Sequence, residues 1–421
     1  MTFGVVSFLA SVVVTLELFW LSKLTVPAGD TLRVLSQVSG LLGLLFLSWS
    51  YLLAVRHPLL ERAFGGLDRV YRWHHIAGGT AFVLLMNHPV FLMISALPTN
   101  TFMTYFVPGS IFSYTLGILA FYCLLVLLSL TLFVDLPYKI WKRTHEWLGL
   151  VIILGAWHAL IVPSDVSRFV PLSLWVGVVS AAAIAAFLYK RFLYYILDRG
   201  VSCRVSRVTW ENDTVLLTMT SDGKRRIPQF RPGQFAFLSF TGKGEGRDEH
   251  PFSVVSQDDT AISFGMKVIG GFTLKLSKSQ PGATVRIRGP YGMFSIHKPN
   301  IGHMLWVAGG IGITPFMYLL RAVSEHQHLT FITTARGSIP KIFREPVERL
   351  IAGFPSVTFI HHDSSKDGRL TAGKIVSMAP VFRDTHVWLC GPKSLMTTLS
   401  EQLPAYGVLR HRIYFEDFSL K

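Results

Sequence analysis

The chain has 421 residues, of which 50% are hydrophobic and only 15% are Asp, Glu, Lys or Arg, and its mean hydropathy is +0.43. A soluble globular protein carries about 25% charged residues, so this composition excludes a disordered chain and argues against a wholly soluble one. Three cysteines exclude a disulfide scaffold, and a net charge of +15 on so apolar a chain fits a membrane protein with basic cytosolic surfaces, not a nucleic-acid binder.

The first half is membrane-like. Residues 1–200 hold 13 Lys/Arg and 8 Asp/Glu, whereas residues 201–421 hold 27 and 17. A spanning helix needs about 20 apolar residues. Six such stretches are predicted, near 4–22, 34–55, 76–97, 109–134, 147–163 and 170–193, the fifth being short enough that it must begin close to Thr144. The 2–3 loop holds Arg56, Arg62, Arg69 and Arg72, and the 4–5 loop holds Lys139, Lys142 and Arg143. That bias predicts a multi-pass protein of the cell membrane with both termini in the cytosol.

Ionisable residues at membrane depth are costly and point to function. His74 (with His75 beside it) opens the third predicted helix and His88 follows 14 residues on, while His145 opens the fifth and His158 follows 13 on. At 1.5 Å per residue these separations are about 20 Å. The two helices run in the same direction, so they offer histidines at two common depths, the geometry of two stacked haems with paired axial His. Fourteen residues return nearly to the same helix face, but 13 miss it by about 140°. The fifth helix therefore needs a distortion, or His145 must lie in a non-helical entry turn, and spacing alone leaves His74 against His75 open.

From Val201 the pattern changes to short alternating strands separated by turn signals, which suggests a small β-barrel. From Ile301 strands alternate with helices. The run Gly309-Gly310-Ile311-Gly312-Ile313-Thr314-Pro315 follows a strand and precedes an apolar helix, as in α/β nucleotide-binding domains. A glycine turn before a helix presents N–H groups to a pyrophosphate, although this run departs from G-x-G-x-x-G. The fold expected is multi-domain. Residues 1–199 form a six-helix transmembrane bis-haem bundle, 200–299 a flavin-binding β-barrel, and 300–421 an α/β nucleotide-binding domain.

Taken together the motifs resemble the NADPH oxidase and ferric reductase family over nearly the whole chain, and the second half is similar to the ferredoxin–NADP reductase superfamily. The ordered motifs are the two His pairs, Pro232-Gly233-Gln234-Phe235, His250-Pro251-Phe252-Ser253, Gly271-Phe272-Thr273, Gly289-Pro290-Tyr291-Gly292, the Gly309–Pro315 run, Cys390-Gly391-Pro392 and an aromatic close to the C-terminus. The family's His with Gly four residues later appears as His74…Gly78 and His145…Gly149, which favours His74 over His75.

The resemblance implies an NAD(P)H oxidase or transmembrane ferric reductase using FAD, two b-type haems and NADPH (or NADH). It implies that His74, His88, His145 and His158 ligate iron, and that His250, Pro251, Phe252 and Ser253 line the flavin, with Ser253 near its reactive nitrogen. Gly271, Phe272 and Thr273 would hold the FAD pyrophosphate. Gly310, Gly312, Thr314 and Pro315, with Gly391 and Pro392, would hold the nicotinamide nucleotide, Cys390 would sit by the nicotinamide, and Phe418 would cover the flavin. Arg336, just after a strand end, would meet the 2′-phosphate of NADPH. The acceptor outside would be dioxygen or a ferric chelate. Leu92 stands where several animal oxidases of this family carry a further His, which leaves Arg33 as a polar group near the outer haem.

Overall fold

The computed structural model describes residues 2–25, 30–223, 225–241, 248–296, 301–379 and 381–416. The chain divides into two compact units, Met1–Leu197 and Asp198–Lys421. Among the described residues, six helical segments are long and apolar enough to cross a membrane.

The first unit contains α1 (Phe3–Ser22), α2 (Thr31–Leu53), α3 (Pro58–Phe64), α4 (Leu67–Ala96), α5 (Phe112–Phe133), α6 (Tyr138–Glu146), α7 (Leu148–Ile161), α8 (Asp165–Arg168), α9 (Val170–Leu188) and, after a π-helical turn, α10 (Tyr194–Leu197). Two boundaries differ from the sequence expectation. The third span begins at Leu67 and not near residue 76, because Asp68, Arg69 and Arg72 continue the helix where hydropathy fails to register it. The fifth span is two helices, broken at Trp147 between α6 and α7. The predicted distortion near His145 is this break. His145 lies in the last turn of α6, not in a non-helical entry turn.

The second unit starts with β1 (Val201–Glu211), β2 (Thr214–Ser221), β3 (Phe235–Phe240), β4 (His250–Gln257), β5 (Ala261–Lys267), α11 (Gly271–Ser277) and β6 (Thr284–Tyr291). The six strands close into an antiparallel barrel in the order β1-β2-β5-β4-β3-β6. Alternating side chains such as Cys203, Val205, Val215, Leu217 and Met219 fill its interior. There follow β7 (His303–Gly309), α12 (Thr314–Leu319), β8 (His328–Ala335), α13 (Lys341–Ile351), β9 (Val357–Asp363), α14 (Ala372–Met378), β10 (His386–Cys390), α15 (Lys393–Gln402) and β11 (Ile413–Phe415). These strands form a parallel sheet in the order β11-β10-β7-β8-β9. β7 and β10 are almost entirely buried apolar runs, as expected of strands covered on both faces.

Within this unit the sheet packs directly on the barrel. A Cβ at Gly265 on β5 would lie 2.5 Å from Thr314 Cγ2, and the Tyr318 hydroxyl donates to the Phe230 carbonyl at 3.2 Å. So α12, which follows the glycine loop, lies against the barrel wall that carries His250–Ser253.

Candidate functional site

In the first unit the four predicted histidines meet in two pairs. The His74 and His145 rings are 6.1 Å apart, centroid to centroid, with planes at 69°. The His88 and His158 rings are 6.3 Å apart at 66°. A metal–imidazole bond is about 2 Å. Two such bonds on opposite sides of one ion, plus two ring radii, span about this distance. His75 is exposed, whereas His74 faces His145, so the structure distinguishes the two neighbours. Among the described residues no cluster of three or more His, Cys, Asp or Glu stands together as a bare-ion site.

The ring orientations come from the helices alongside. His88 Nδ1 lies 2.8 Å from the Ser36 carbonyl, His74 Nδ1 2.8 Å from the Ser50 carbonyl, and His158 Nδ1 2.7 Å from the Ser113 carbonyl. A carbonyl only accepts, so each Nδ1 carries the proton and each Nε2 keeps its lone pair for a metal. Ser36 and Ser50 are 14 residues apart on α2, the same interval that separates His74 and His88 on the antiparallel α4. The Ser36 hydroxyl also donates to the His88 carbonyl at 2.8 Å.

Glycines make room for two of the rings. A Cβ at Gly40 would lie 2.8 Å from His88 Nδ1, and one at Gly117 would lie 2.7 Å from the His158 ring. Each glycine follows its acceptor carbonyl by four residues, leaving the second lone pair of that carbonyl open to the histidine. Sequence reasoning missed Ser36, Gly40, Ser113 and Gly117. The matched 14-residue interval was the available signal. The two predicted motif glycines behave differently. A Cβ at Gly78 would lie 3.4 Å from Ser50 Oγ, whereas one at Gly149 would collide with the Phe187 ring, so Gly149 serves the approach of α7 to α9.

Around His88 and His158 the bundle leaves a cavity of about 170 Å³, mostly apolar and lined by Leu41, Leu44, Leu85, Leu124 and Val151 among others. One wall is polar. Asp165, buried, pairs with Lys23 at 2.7 Å and accepts from Ser22 at 3.1 Å, and Lys23 also donates to Gln37.

In the second unit the predicted nucleotide residues gather where strand order reverses. β7 has β8 on one side and β10 on the other, and ligands of such sheets bind at the strand ends of this switch point. The Gly309–Gly312 turn follows β7 and Cys390-Gly391-Pro392 follows β10. A Cβ at Gly312 would collide with the Cys390 carbonyl, and one at Gly309 would lie 2.8 Å from Pro392 Cδ. The glycine run itself is a 3₁₀ turn, Gly310–Ile313, and Gly310 has φ +55. Cys390 is buried at the end of β10, and Arg336 is exposed just beyond β8. Beside it the Asp363 carboxylate accepts from Ser365 and from the Gly337 and Ser365 N–H groups, which hold its pKa down to about 2.

On the barrel, His250 stacks on Phe272 at 4.1 Å and bonds Asp248 at 3.0 Å, while Phe252 lies nearly parallel to Phe272 at 6.1 Å. Ser253 is buried opposite Phe235. The Thr273 hydroxyl accepts from the Ile269 and Gly270 N–H groups and donates to the Gly270 carbonyl, fixing the turn that presents Gly271 and Phe272. Phe418 lies outside the described residues.

Comparison with known proteins agrees with both halves. Residues 39–156 match the family model for the ferric reductase like transmembrane component, a range that contains His74, His88 and His145 and stops just before His158. A probable dihydroorotate dehydrogenase B (NAD(+)) electron transfer subunit of Methanocaldococcus jannaschii is 28% identical over 215 residues, which are 50% of this chain and 76% of that protein. A flavohemoprotein of a Burkholderia species is 27% identical over 229 residues, 51% of this chain and 58% of that protein. This chain thus spans little more than half the length of the second relative. Among solved structures, a flavohemoglobin of Malassezia yamatoensis with bound FAD and heme shares the fold, with a TM-score of 0.52 and 17% identity over 92% of this chain and 97% of that one. The first half thus carries a match to the ferric reductase like transmembrane component, and the second half is similar to electron-transfer and flavohemoprotein relatives.

Proposed function

We propose that the chain carries electrons across the cell membrane, from cytosolic NAD(P)H through FAD and two b-type haems to an acceptor on the outer face. The observation that carries this reading is the facing pair of imidazoles at each of two levels, in a chain whose other half has a reductase fold. The donor set fits haem: paired imidazoles at the two-bond separation, three of the four with Nδ1 turned to a main-chain carbonyl. His74 and His145 would hold the inner haem, and His88 and His158 the outer. Bound haem supplies one-electron iron chemistry, and bound FAD divides a hydride into single electrons.

The protein's own part is positioning. The Ser36, Ser50 and Ser113 carbonyls keep three rings in one tautomer. The apolar cavity around His88 and His158 would exclude water from a metal held there. If His88 and His158 both ligated one iron, they would occupy two of its coordination positions, which suits electron transfer to an acceptor outside the metal's own coordination sphere. At the switch point Gly310, Gly312, Thr314, Pro315, Gly391 and Pro392 would hold the nicotinamide nucleotide, Cys390 would lie by the nicotinamide, and Arg336 would meet the 2′-phosphate, which favours NADPH. His250, Pro251, Phe252 and Ser253 line the flavin, and the turn at Gly271, Phe272 and Thr273 faces its pyrophosphate. The basic 2–3 and 4–5 loops support a reading with both termini in the cytosol.

The acceptor in this reading is dioxygen: one NAD(P)H and two O₂ give NAD(P)⁺, one H⁺ and two superoxide ions. Residues 97–111, between α4 and α5, carry no charge, which suits a small neutral acceptor. A ferric chelate is the second reading, favoured by the family model that matches the bundle. The test is a spectrum of purified protein reduced anaerobically with NADPH, followed by air or ferric chelate. Faster haem reoxidation names the acceptor. Undiminished haem content in His88→Ala and His158→Ala would sink the outer-haem assignment.

A further inference from the structure

The two histidine levels hold their rings by different means. At the outer level both Nδ1 atoms, of His88 and of His158, face main-chain carbonyls at 2.8 and 2.7 Å. At the inner level only His74 does so, toward Ser50. His145 Nδ1 is buried and has no hydrogen-bond partner among the described residues. Its ring lies instead almost flat against Trp141, with centroids 5.2 Å apart and planes at 13°. Trp141 in turn stacks on Tyr138 at 5.9 Å and 24°. Positions 138, 141 and 145 share one face of α6, so the three rings form a continuous stack that ends on His145.

A ring N–H bonded to a carbonyl does two things for a ligating histidine. It fixes the rotation of the ring, and it makes the opposite nitrogen a stronger electron donor. A stacked indole does the first and not the second, because its face offers no acceptor comparable to a carbonyl oxygen. We propose that Trp141 is the positioning residue for His145, in place of a hydrogen-bond acceptor, and that the inner level consequently has the weaker-donating ligand pair and the higher reduction potential. This rests on the reading of both levels as haem sites. Weaker donation stabilises the oxidised iron less, so an electron is held more firmly at the His74/His145 level than at the His88/His158 level.

The test uses the full-length protein purified with its haems, a redox titration followed in the visible bands, and low-spin EPR. The wild type is expected to show two one-electron components. Trp141→Leu is expected to shift or broaden only the higher-potential component and to change its g values, and Trp141→Phe, which keeps a flat ring, to restore both. Tyr138→Leu, at an exposed ring, is expected to move the same component by less. Flavin content and NADPH-driven dye reduction report that each variant is folded. A shift of the lower-potential component in Trp141→Leu, or unchanged potentials and g values, overturns the proposal while leaving the haem assignment standing. A wild type with fewer than two haems per chain overturns both.

Discussion

Gly40→Ala tests the outer histidine pair at a single carbon atom. The new Cβ would sit 2.8 Å from His88 Nδ1, 3.1 Å from Cε1 and 3.3 Å from Cγ, against an ordinary contact of about 3.5–4.0 Å. The ring must retreat by roughly 0.7 Å or more, which carries the 2.8 Å bond to the Ser36 carbonyl to the edge of hydrogen-bonding range. Loss of such a supporting bond typically costs about 10–100-fold in metal affinity, or about 1.4–2.8 kcal/mol. The helix itself gains from the change, since Ala is favoured over Gly by about 1 kcal/mol in a helix interior. A weakened α2 therefore cannot explain the effect. With haem supply limiting, the haem-to-flavin ratio should fall from two toward one, and the His74/His145 component should persist in the spectrum. Gly177→Ala on α9, where a Cβ meets nothing within 4 Å, is the control and should keep both haems. Full haem content and an unchanged spectrum in Gly40→Ala would refute the reasoning.

Gly310 sits at φ +55, and left-handed backbone costs a residue with a Cβ about 1–2 kcal/mol. Gly310→Ala should raise KM for NADPH about tenfold with haem content unchanged, measured by steady-state dye reduction. Lys23→Met leaves Asp165 buried without its cation, a defect of about 3–5 kcal/mol. Thermal inactivation in detergent should show the loss, and adding Asp165→Leu should recover most of it. The Asp363 carboxyl is held at about 2 by the Ser365 hydroxyl first and the neighbouring amides after it. Its contribution is complete above the unfolded value of about 3.9 and is lost as pH falls toward 2. The protection factor of the Gly337 amide, its exchange rate relative to the unstructured chain at the same pH, should therefore fall only below about pH 4, and Asp363→Ala should show the low protection at neutral pH.

The histidine pairs were legible because an imidazole in an apolar stretch is costly and the two intervals nearly match. Their supports were not. Ser36 and Gly40 are ordinary members of a transmembrane helix until the antiparallel register of α2 on α4 sets them against His88, and Ser113 and Gly117 await the packing of α5 on α7. The break at Trp147 has no proline to announce it; only the mismatch of 13 residues with the helical period demanded some distortion. The start of α4 was hidden because Asp68, Arg69 and Arg72 are helical but not apolar. In the second unit the glycine run signalled a tight turn, but its partner, Cys390-Gly391-Pro392, lies some eighty residues downstream. Only the reversal of strand order between β8 and β10 brings the two together.

The helices that carry the histidines are mechanically unequal. α4 is continuous from Leu67 to Ala96, with one hydrogen bond lost at Pro89, so His74 and His88 ride on one helix and a tilt of it displaces both. The opposite rail is jointed at Trp147, so His145 can be trimmed without disturbing His158. Alterations on α4 should therefore couple the two levels, while those in α6 should act on one alone.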